Sequence, residues 1–363
     1  MSQAQLKSAI DKLGDLDYET RTAAARTVRR AESAQAVPAL VQAVAEHADG
    51  YVRYRALVLL TGFGDPRTTG AMRESLSSPN DRLRTVAYSY FEHNPDRAMT
   101  AGFLAALDKE TAEFVRPALV RALAALGSDP RVQQVLVKDV ARGQDFFRSI
   151  AIEALGDYKA GYAFEAIDAV AKLDGPLQED AALAIGKIGD RRGLTTLAEL
   201  QKTAPAERQP SIAAAICLFG LDCNAHQEFL SQSLSYADKN PGYQNLLRAA
   251  AAGLAALALA GHPQALDSLL DVGIPAREDS TRAPAALAVG TIALRNPALL
   301  LAALEKRSDR AAAMDLLAEG FDMLEEDLDK EAFFVLVRKT YWAAAGGSPA
   351  RELMQTLIGK LDF

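Results

Sequence analysis

Histidine and cysteine, which form many catalytic and metal sites, are scarce in this sequence, and so is tryptophan. Its 363 residues include four histidines, two cysteines and one tryptophan. His47 and His93 each follow a glutamate, but the two pairs lie at different places in the repeat described below, so we do not expect them to share a metal ion. There is no G-x-S-x-G nucleophile elbow, and Gly186-Lys187 lacks the leading glycine and the Ser/Thr of a phosphate loop. We therefore expect no catalytic residue, no metal and no cofactor, and predict that the chain is not an enzyme.

The two cysteines and the longest apolar run give information about the cellular location of the protein. Cys217 falls in an apolar helical pattern and Cys223 just beyond a glycine, which favours small buried thiols over a redox pair. The apolar run 249–260 is too short and too rich in alanine to span a bilayer. The first residues have the pattern of an amphipathic helix rather than of a secretory signal. We expect a cytoplasmic protein without a membrane anchor.

Charge is distributed unevenly along the chain. Residues 1–150 carry 20 Lys/Arg against 18 Asp/Glu, a net charge of +2, whereas residues 151–363 carry 20 against 29, a net charge of −9. One acidic run contributes to this excess, and its members are Asp322, Glu325, Glu326, Asp327, Asp329 and Glu331. Because nucleic-acid binding depends on the neutralisation of phosphates by Lys and Arg, no nucleic-acid partner is expected.

An arginine-centred phrase recurs along the first half of the chain. Its arginines are separated by 32, 31, 32 and 32 residues, and they are Arg21, Arg53, Arg84, Arg116 and Arg148. Gln178 and Gln209 continue the spacing at 30 and 31 residues. A self-similar period of this size is typical of a stacked array of small helical units.

Each unit has the pattern of two helices joined by a turn. Val52, Ala56 and Leu60 form a helical stripe, Gly64-Asp65 ends that helix, and Pro66 suits the first turn of the next. Alternation with a period of two residues does not persist anywhere, so no sheet is expected. The pattern predicts an all-α fold, a right-handed α-solenoid of about nine to ten helix pairs.

We interpret residues 1–363 as a single solenoid with four parts. These are an N-terminal cap helix at 1–16, regular repeats at 17–230, degenerate repeats at 243–345 and a C-terminal cap helix at 348–363. Because the ends of a solenoid need atypical surfaces, we expect the sole tryptophan, Trp342, to help cover the last apolar face.

The phrase from Asp49 to Leu57, closed by 62–66, resembles the short HEAT-like repeats of phycobilisome-lyase type, which have the pattern D-x-x-V-R-x-x-A followed by L-G-x-x-G-D. The resemblance is good for the units that start near Asp17, Asp49, Asp81, Thr111 and Asp145. It implies that the repeated Asp and Arg side chains form a structural ladder between neighbouring units. The residues concerned are Asp49, Asp81 and Asp145 with Arg53, Arg84, Arg116 and Arg148.

In HEAT arrays the helix that carries the arginine phrase usually lines the concave side. The helical phase predicts exposure for positions such as Val58 and Leu59. It also selects a set of partner-binding candidates, Tyr54, Arg55, Tyr88, Tyr90 and Arg121. Tyr and Arg are enriched at binding hot spots. The alternative is that these aromatic residues complete the packing between units.

Two classes of function follow. The first is a non-enzymatic scaffold or adaptor that binds a protein or peptide partner on the concave face. The alternative is a HEAT-like enzyme of the DNA glycosylase or bilin lyase type, whose mark would be a deep basic channel with a buried carboxylate.

Overall fold

The computed structural model describes residues 1–363 and contains 22 α-helices, four short 3-10 turns and no strand. The helices are α1 Gln3–Asp11, α2 Tyr18–Arg29, α3 Ser33–Glu46, α4 Gly50–Thr61, α5 Arg67–Ser75, α6 Asp81–His93, α7 Thr100–Leu107, α8 Val115–Ala125, α9 Pro130–Ala141, α10 Asp145–Asp157, α11 Phe164–Ala171, α12 Gln178–Ile188, α13 Gly193–Thr203, α14 Gln209–Leu218, α15 Cys223–Lys239, α16 Gln244–Leu259, α17 Gln264–Gly273, α18 Asp279–Arg295, α19 Pro297–Lys306, α20 Arg310–Met323, α21 Asp327–Ala343 and α22 Pro349–Leu361. The predicted all-α solenoid is confirmed, with slightly more helices than nine or ten pairs require.

The helices group into two compact units. The first unit comprises Met1–Asp96, Ala105–Ala122 and Glu326–Phe363, and the second comprises Arg97–Leu104 and Leu123–Glu325. The first unit therefore combines the first repeats with the last two helices of the sequence. The four-part division drawn from the sequence stays a prediction.

The second unit is a double row of helices. The helices α10, α12, α14, α16, α18 and α20 pack side by side in sequence order, and each packs against an odd-numbered neighbour. Small residues allow the close approach within this row: a Cβ added at Gly186 would lie 2.6 Å from the Cα of Ala215. The abundance of alanine and glycine thus serves helix contact at short range, because interior packing leaves no room for longer side chains there.

The repeated arginines bind the ends of preceding helices. Three of them donate a hydrogen bond to a carbonyl eight or nine residues earlier: Arg53 to Val44 at 2.7 Å, Arg116 to Leu107 at 2.8 Å and Arg148 to Val140 at 3.0 Å. Arg21 and Arg84 donate to carbonyls five or six residues earlier. A helix leaves its last carbonyls unpaired, and a guanidinium supplies several donors in a fixed fork. The repeated phrase therefore joins consecutive helices.

Glutamine takes over this role where the arginine is replaced. Gln178 Nε2 donates to the carbonyl of Ala171 at 3.1 Å, and Gln209 Nε2 donates to that of Ala204 at 2.8 Å. A neutral amide therefore makes the same kind of contact at these two positions of the repeat. Farther along, Arg282 Nη1 donates to the carbonyls of Gly273 and Ile274 at 3.1 and 3.0 Å, although the surrounding phrase is no longer recognisable.

The repeated aspartates act locally rather than as rungs between units. Asp49 caps α4 by accepting a hydrogen bond from the backbone N–H of Tyr51 at 2.7 Å. In the next unit Asn80 is the cap, and Asp81 instead pairs with Arg84 one turn later at 2.7 Å. Asp145 pairs with Arg148 in the same way at 2.9 Å.

No single helix is both long and apolar enough to cross a membrane, although the pair α18 and α19, bent by 117°, meets the length and composition criterion when taken together.

Candidate partner-binding face

In the first unit the arginine-phrase helices α4 and α6 pack against α21. We call the sides of α2, α4 and α6 that contact α21 the docking face. Val58 and Leu59, which the helical phase placed in the open, are 1% and 0% exposed. That expectation was wrong because α4 has neighbours on several sides, among them α3, α5, α6 and α21.

At one end of the docking face, Asp327 is held by two of the predicted binding residues. The Tyr54 hydroxyl donates a hydrogen bond to Asp327 Oδ2, and Arg55 Nη1 lies 3.2 Å from the same oxygen. Lys330 Nζ lies 3.1 Å from Asp327 Oδ1. Asp327 is also the first residue of α21, where a negative charge interacts favourably with the helix dipole.

At the other end, Glu331 is buried against α2. Arg29 donates to it from Nε and Nη2, at 2.9 and 2.7 Å to Oε2, and the two side chains are 6% and 1% exposed. Arg338 Nη2 lies 3.4 Å from Glu331 Oε1, and burial lowers the pKa of the Arg338 guanidinium below its ordinary value. Two-point pairs of this kind fix orientation as well as charge.

A third contact and a close approach complete the docking face. His93 Nε2 of α6 lies 2.8 Å from Asp329 Oδ1. Gly62, where α4 ends, leaves room for α21, since a Cβ at this position would lie 2.8 Å from Glu331 Oε1. The face therefore holds a helix by three carboxylates and by steric fit.

The other predicted binding residues are bonded within the first unit. Tyr88 is 3% exposed. Its burial is the main cause that raises the pKa of its phenol, and the nearby negative charge of Glu110 adds to this effect. The Tyr90 hydroxyl lies 2.7 Å from Thr69 Oγ1. Arg121 Nε donates to Glu92 Oε1 at 2.9 Å, and this pair is largely buried. A partner-binding role for all five residues stays a prediction.

Sequence reasoning missed the basic side of the docking face and the role of the acidic run. The repeat pattern does not single out Arg29 or His93, and the run containing Asp327 and Glu331 indicates by itself only a negative net charge. A signal was present: α4 is apolar around most of its circumference, and a helix of that kind is buried on more than one side.

Two other sequence expectations are corrected. Trp342 is 74% exposed, so it does not cover an apolar face. Cys217 and Cys223 are joined by a disulfide instead of being separate buried thiols. The reason is the turn between them, in which Gly220 and Asp222 adopt positive φ values of 77° and 45° and bring the start of α15 back to the end of α14.

A polar groove of about 660 Å³ lies in the second unit beside α11, α12 and α13. Its buried carboxylate, Asp168, accepts a hydrogen bond from Thr196 at 2.5 Å and pairs with Lys172 at 2.5 Å. Both oxygens are therefore engaged by neighbouring side chains.

Comparison with known proteins agrees with the helical repeat. Residues 6–92 match the family model described as HEAT repeats. No curated protein matches the sequence. The crystal structure of Kap121p is similar with a TM-score of 0.43 and 13% identity, covering 99% of this chain and 45% of that chain. Importin beta in an ammonium sulfate condition gives 0.41 and 14%, covering 98% and 55%.

The complex of CpcE and CpcF of phycocyanin lyase from Nostoc sp. PCC7120 gives a TM-score of 0.27 and 19% identity, covering 88% of this chain and 94% of that chain. The chain spans about half the length of the Kap121p and importin beta chains. The match over residues 6–92, on units built from paired helices, identifies this part of the chain as HEAT repeats and confirms the resemblance drawn from the sequence.

Proposed function

We propose that the chain is a non-enzymatic scaffold whose docking face binds a helical segment of a protein partner. In the free protein α21 occupies this face as an internal ligand. The observation that supports the proposal is the way α21 is held: Asp327 on Tyr54 and Arg55, and Glu331 on Arg29. A helix laid into a groove and fixed by a few anchors is a common mode of peptide recognition.

The charges of the docking face define the chemistry of the partner. Arg29 is 6% exposed. Loss of the carboxylate from a buried ion pair strongly destabilises the folded protein, because the guanidinium is left without a counter-charge. A segment that displaces α21 must therefore bring acidic side chains to Arg29 and Arg55. We propose an acidic amphipathic helix as the partner, with no nucleic acid and no membrane involved, and a cytoplasmic location in keeping with the sequence.

Competition with α21 sets how strongly such a partner binds. Because α21 belongs to the same chain as the face, its binding is intramolecular, and an external helix must compete with its effective local concentration. The apparent affinity of an external helix is reduced in proportion to the fraction of molecules in which the face is open. Weakening α21 in place should therefore increase binding of an external helix without changing the face itself.

A peptide of residues 325–345, labelled with a fluorophore, tests the proposal by fluorescence polarisation. The receptor is the full chain carrying Asp327→Lys and Glu331→Lys, in which α21 repels Arg55 and Arg29. We expect this variant to bind the peptide at least about tenfold more tightly than the unaltered chain does, because its own helix no longer competes.

The matched control is the full chain with Asp322→Lys and Glu325→Lys, which makes the same charge change in the same acidic run. It should bind the peptide as weakly as the unaltered chain. If the reversed variant fails to fold, Asp327→Asn with Glu331→Gln provides a neutral replacement. Equal binding of the peptide and a scrambled version by the opened variants would rule the proposal out.

A further inference from the structure

Three side chains that commonly ligate metals converge in the second unit. Cys217 lies in the last turn of α14, Cys223 is the first residue of α15, and His262 precedes α17. Nε2 of His262 lies 3.9 Å from Sγ of each cysteine. All three donor atoms lie within 4.8 Å of one another, although the residues span 45 positions of sequence.

Backbone turns bring this cluster together. Gly220 and Asp222, both at positive φ, reverse the chain between the two cysteines, and Gly261, with φ of 104°, places His262 beside them. The backbone N–H of His262 donates to the carbonyl of Leu257 at 3.0 Å, which fixes the residue where α16 ends. The histidine is therefore held against the cysteines by main-chain geometry.

The donor set and its spacing suit a thiophilic cation. Tetrahedral Zn²⁺, with Zn–S of about 2.3 Å and Zn–N of about 2.0 Å, holds sulfur and nitrogen about 3.5 Å apart and the two sulfurs about 3.8 Å apart. The sulfur–nitrogen distances of 3.9 Å are close to this requirement. Thiolate and imidazole donors together favour zinc among divalent cations over calcium or magnesium.

We propose that Cys217, Cys223 and His262 form a redox-controlled binding site for a single Zn²⁺-class cation. A dithiol reductant opens the disulfide: the reductant is oxidised to its own disulfide, and two protein thiols are released. The cation then displaces the two thiol protons and binds two thiolates and the neutral Nε2 of His262. The disulfide seen in the structure is the metal-free form of the site.

The two forms exclude each other because sulfurs that are bonded to each other carry no thiolate charge with which to bind the metal. A two-electron oxidant of the peroxide class would rejoin the sulfurs and release the cation. The peroxide takes up two protons from water and is reduced to an alcohol and water, or to two waters in the case of hydrogen peroxide. Cys217 is 1% exposed, whereas Cys223 and His262 are half-buried, so reagents and a water ligand reach the site from one side. Three protein ligands leave a fourth position for that water.

The test is a titration of the full chain with Co²⁺ after reduction and removal of excess reductant. We expect one equivalent of Co²⁺ to give sulfur-to-cobalt charge-transfer absorption and the intense visible bands of tetrahedral cobalt. Added Zn²⁺ should abolish both. The oxidised chain serves as a folded control of identical sequence and should give neither signal, since its sulfurs are bonded to each other.

Variants separate the site from nonspecific binding by thiols. Cys217→Ser and Cys223→Ser should each abolish the charge-transfer band, and His262→Ala should weaken Zn²⁺ binding by at least about 100-fold, more than loss of an outer partner of a ligand costs. His226→Ala is the matched control, because His226 is half-buried on α15 but is not a member of the cluster, and it should bind normally. Circular dichroism of the reduced variants checks that they remain folded.

Two results would overturn the proposal. One is a reduced, folded chain that gives no charge-transfer band and retains no zinc on gel filtration. The other is His262→Ala binding Zn²⁺ as tightly as the unaltered chain, which would leave an isolated dithiol instead of a three-ligand site.

Discussion

Arg29 and Glu331, 302 residues apart in the sequence, form an ion pair through two donors of the guanidinium, with both side chains almost closed to solvent. The pair connects α2, at the start of the repeat array, with α21. Because both charges are buried, the attraction between them compensates for the water that each has lost. The first unit is therefore sensitive to changes at either residue.

Replacing Glu331 alone should destabilise the first unit severely. We expect Glu331→Ala to lower the free energy of unfolding by about 3–5 kcal/mol, because it leaves Arg29 buried without a counter-charge. Chemical denaturation measures the loss, and hydrogen exchange should show faster exchange in α21. The double variant Arg29→Met with Glu331→Met should recover most of the stability. A loss below about 1 kcal/mol in the single variant would contradict this account.

Gly62→Ala should loosen α21 without changing any charge. The φ of Gly62 is −66°, which alanine adopts readily, so the effect comes from the new Cβ 2.8 Å from Glu331 Oε1. We expect a loss of about 1–3 kcal/mol, as for overpacking in a core, measured by thermal or chemical melts. Gly70→Ala in α5 is the control, since nothing lies within 4 Å of its Cβ, and it should be neutral or stabilising. Equal effects at both positions would show that fit against Glu331 is unimportant.

Tyr162→Phe should stabilise the second unit. The Tyr162 hydroxyl is buried without a hydrogen-bond partner. Removing a buried polar atom in this state relieves a penalty of about 1–3 kcal/mol, partly offset by relaxation, so a gain of up to about 1 kcal/mol is expected in denaturant melts.

The same tyrosine should make stability depend on pH at the alkaline end. Burial raises the pKa of Tyr162 from its ordinary value of 10.0 to about 12. Between these values the unfolded chain has released the phenolic proton and the folded chain has not, so stability falls as pH rises. The contribution is complete below pH 10 and is lost as pH rises through about 12. The difference in free energy of unfolding between the unaltered chain and Tyr162→Phe, followed against pH, isolates the phenol of Tyr162. Parallel stability-versus-pH curves for the two proteins would refute the assignment.

Arg84→Ala tests the structural role of the repeated arginines. Arg84 donates to the carbonyl of Ser78 at 2.8 Å and to Glu110 at 2.9 and 3.2 Å, and the hydrogen bonds to Glu110 raise the pKa of its guanidinium. Its removal should cost about 1–3 kcal/mol because the acceptors lose their donor. Arg73→Ala removes an exposed pair with Asp96 and should cost less than about 1 kcal/mol. Similar melting temperatures for the two variants would mean that the repeated arginine at position 84 does not stabilise the fold.

The sequence predicted a structural role for the arginines that recur with the repeat, but not their carbonyl acceptors. Arg53 reaches Val44 and Gln178 reaches Ala171 because each bond joins consecutive helices, so the same local geometry returns with every unit. The docking of Asp327 on Tyr54 could not be read in this way. Helical periodicity indicates which side of α21 is apolar. It does not indicate which helices, some 270 residues earlier in the sequence, pack against that side. The position of His262 beside the cysteine pair could not be predicted from the sequence either, because it depends on one backbone turn at Gly261.

The docking of α21 also has a consequence for synthesis of the chain. Residues 1–96 leave the ribosome long before residues 326–343, at a rate of roughly 5–20 residues per second. The nascent first unit therefore waits on the order of 10–50 seconds for the helix that neutralises Arg29 and covers α4. During that interval its apolar and basic surface is open to chaperones or to a partner already present. The identity of the first helix to reach this surface is thus decided by timing as well as by affinity.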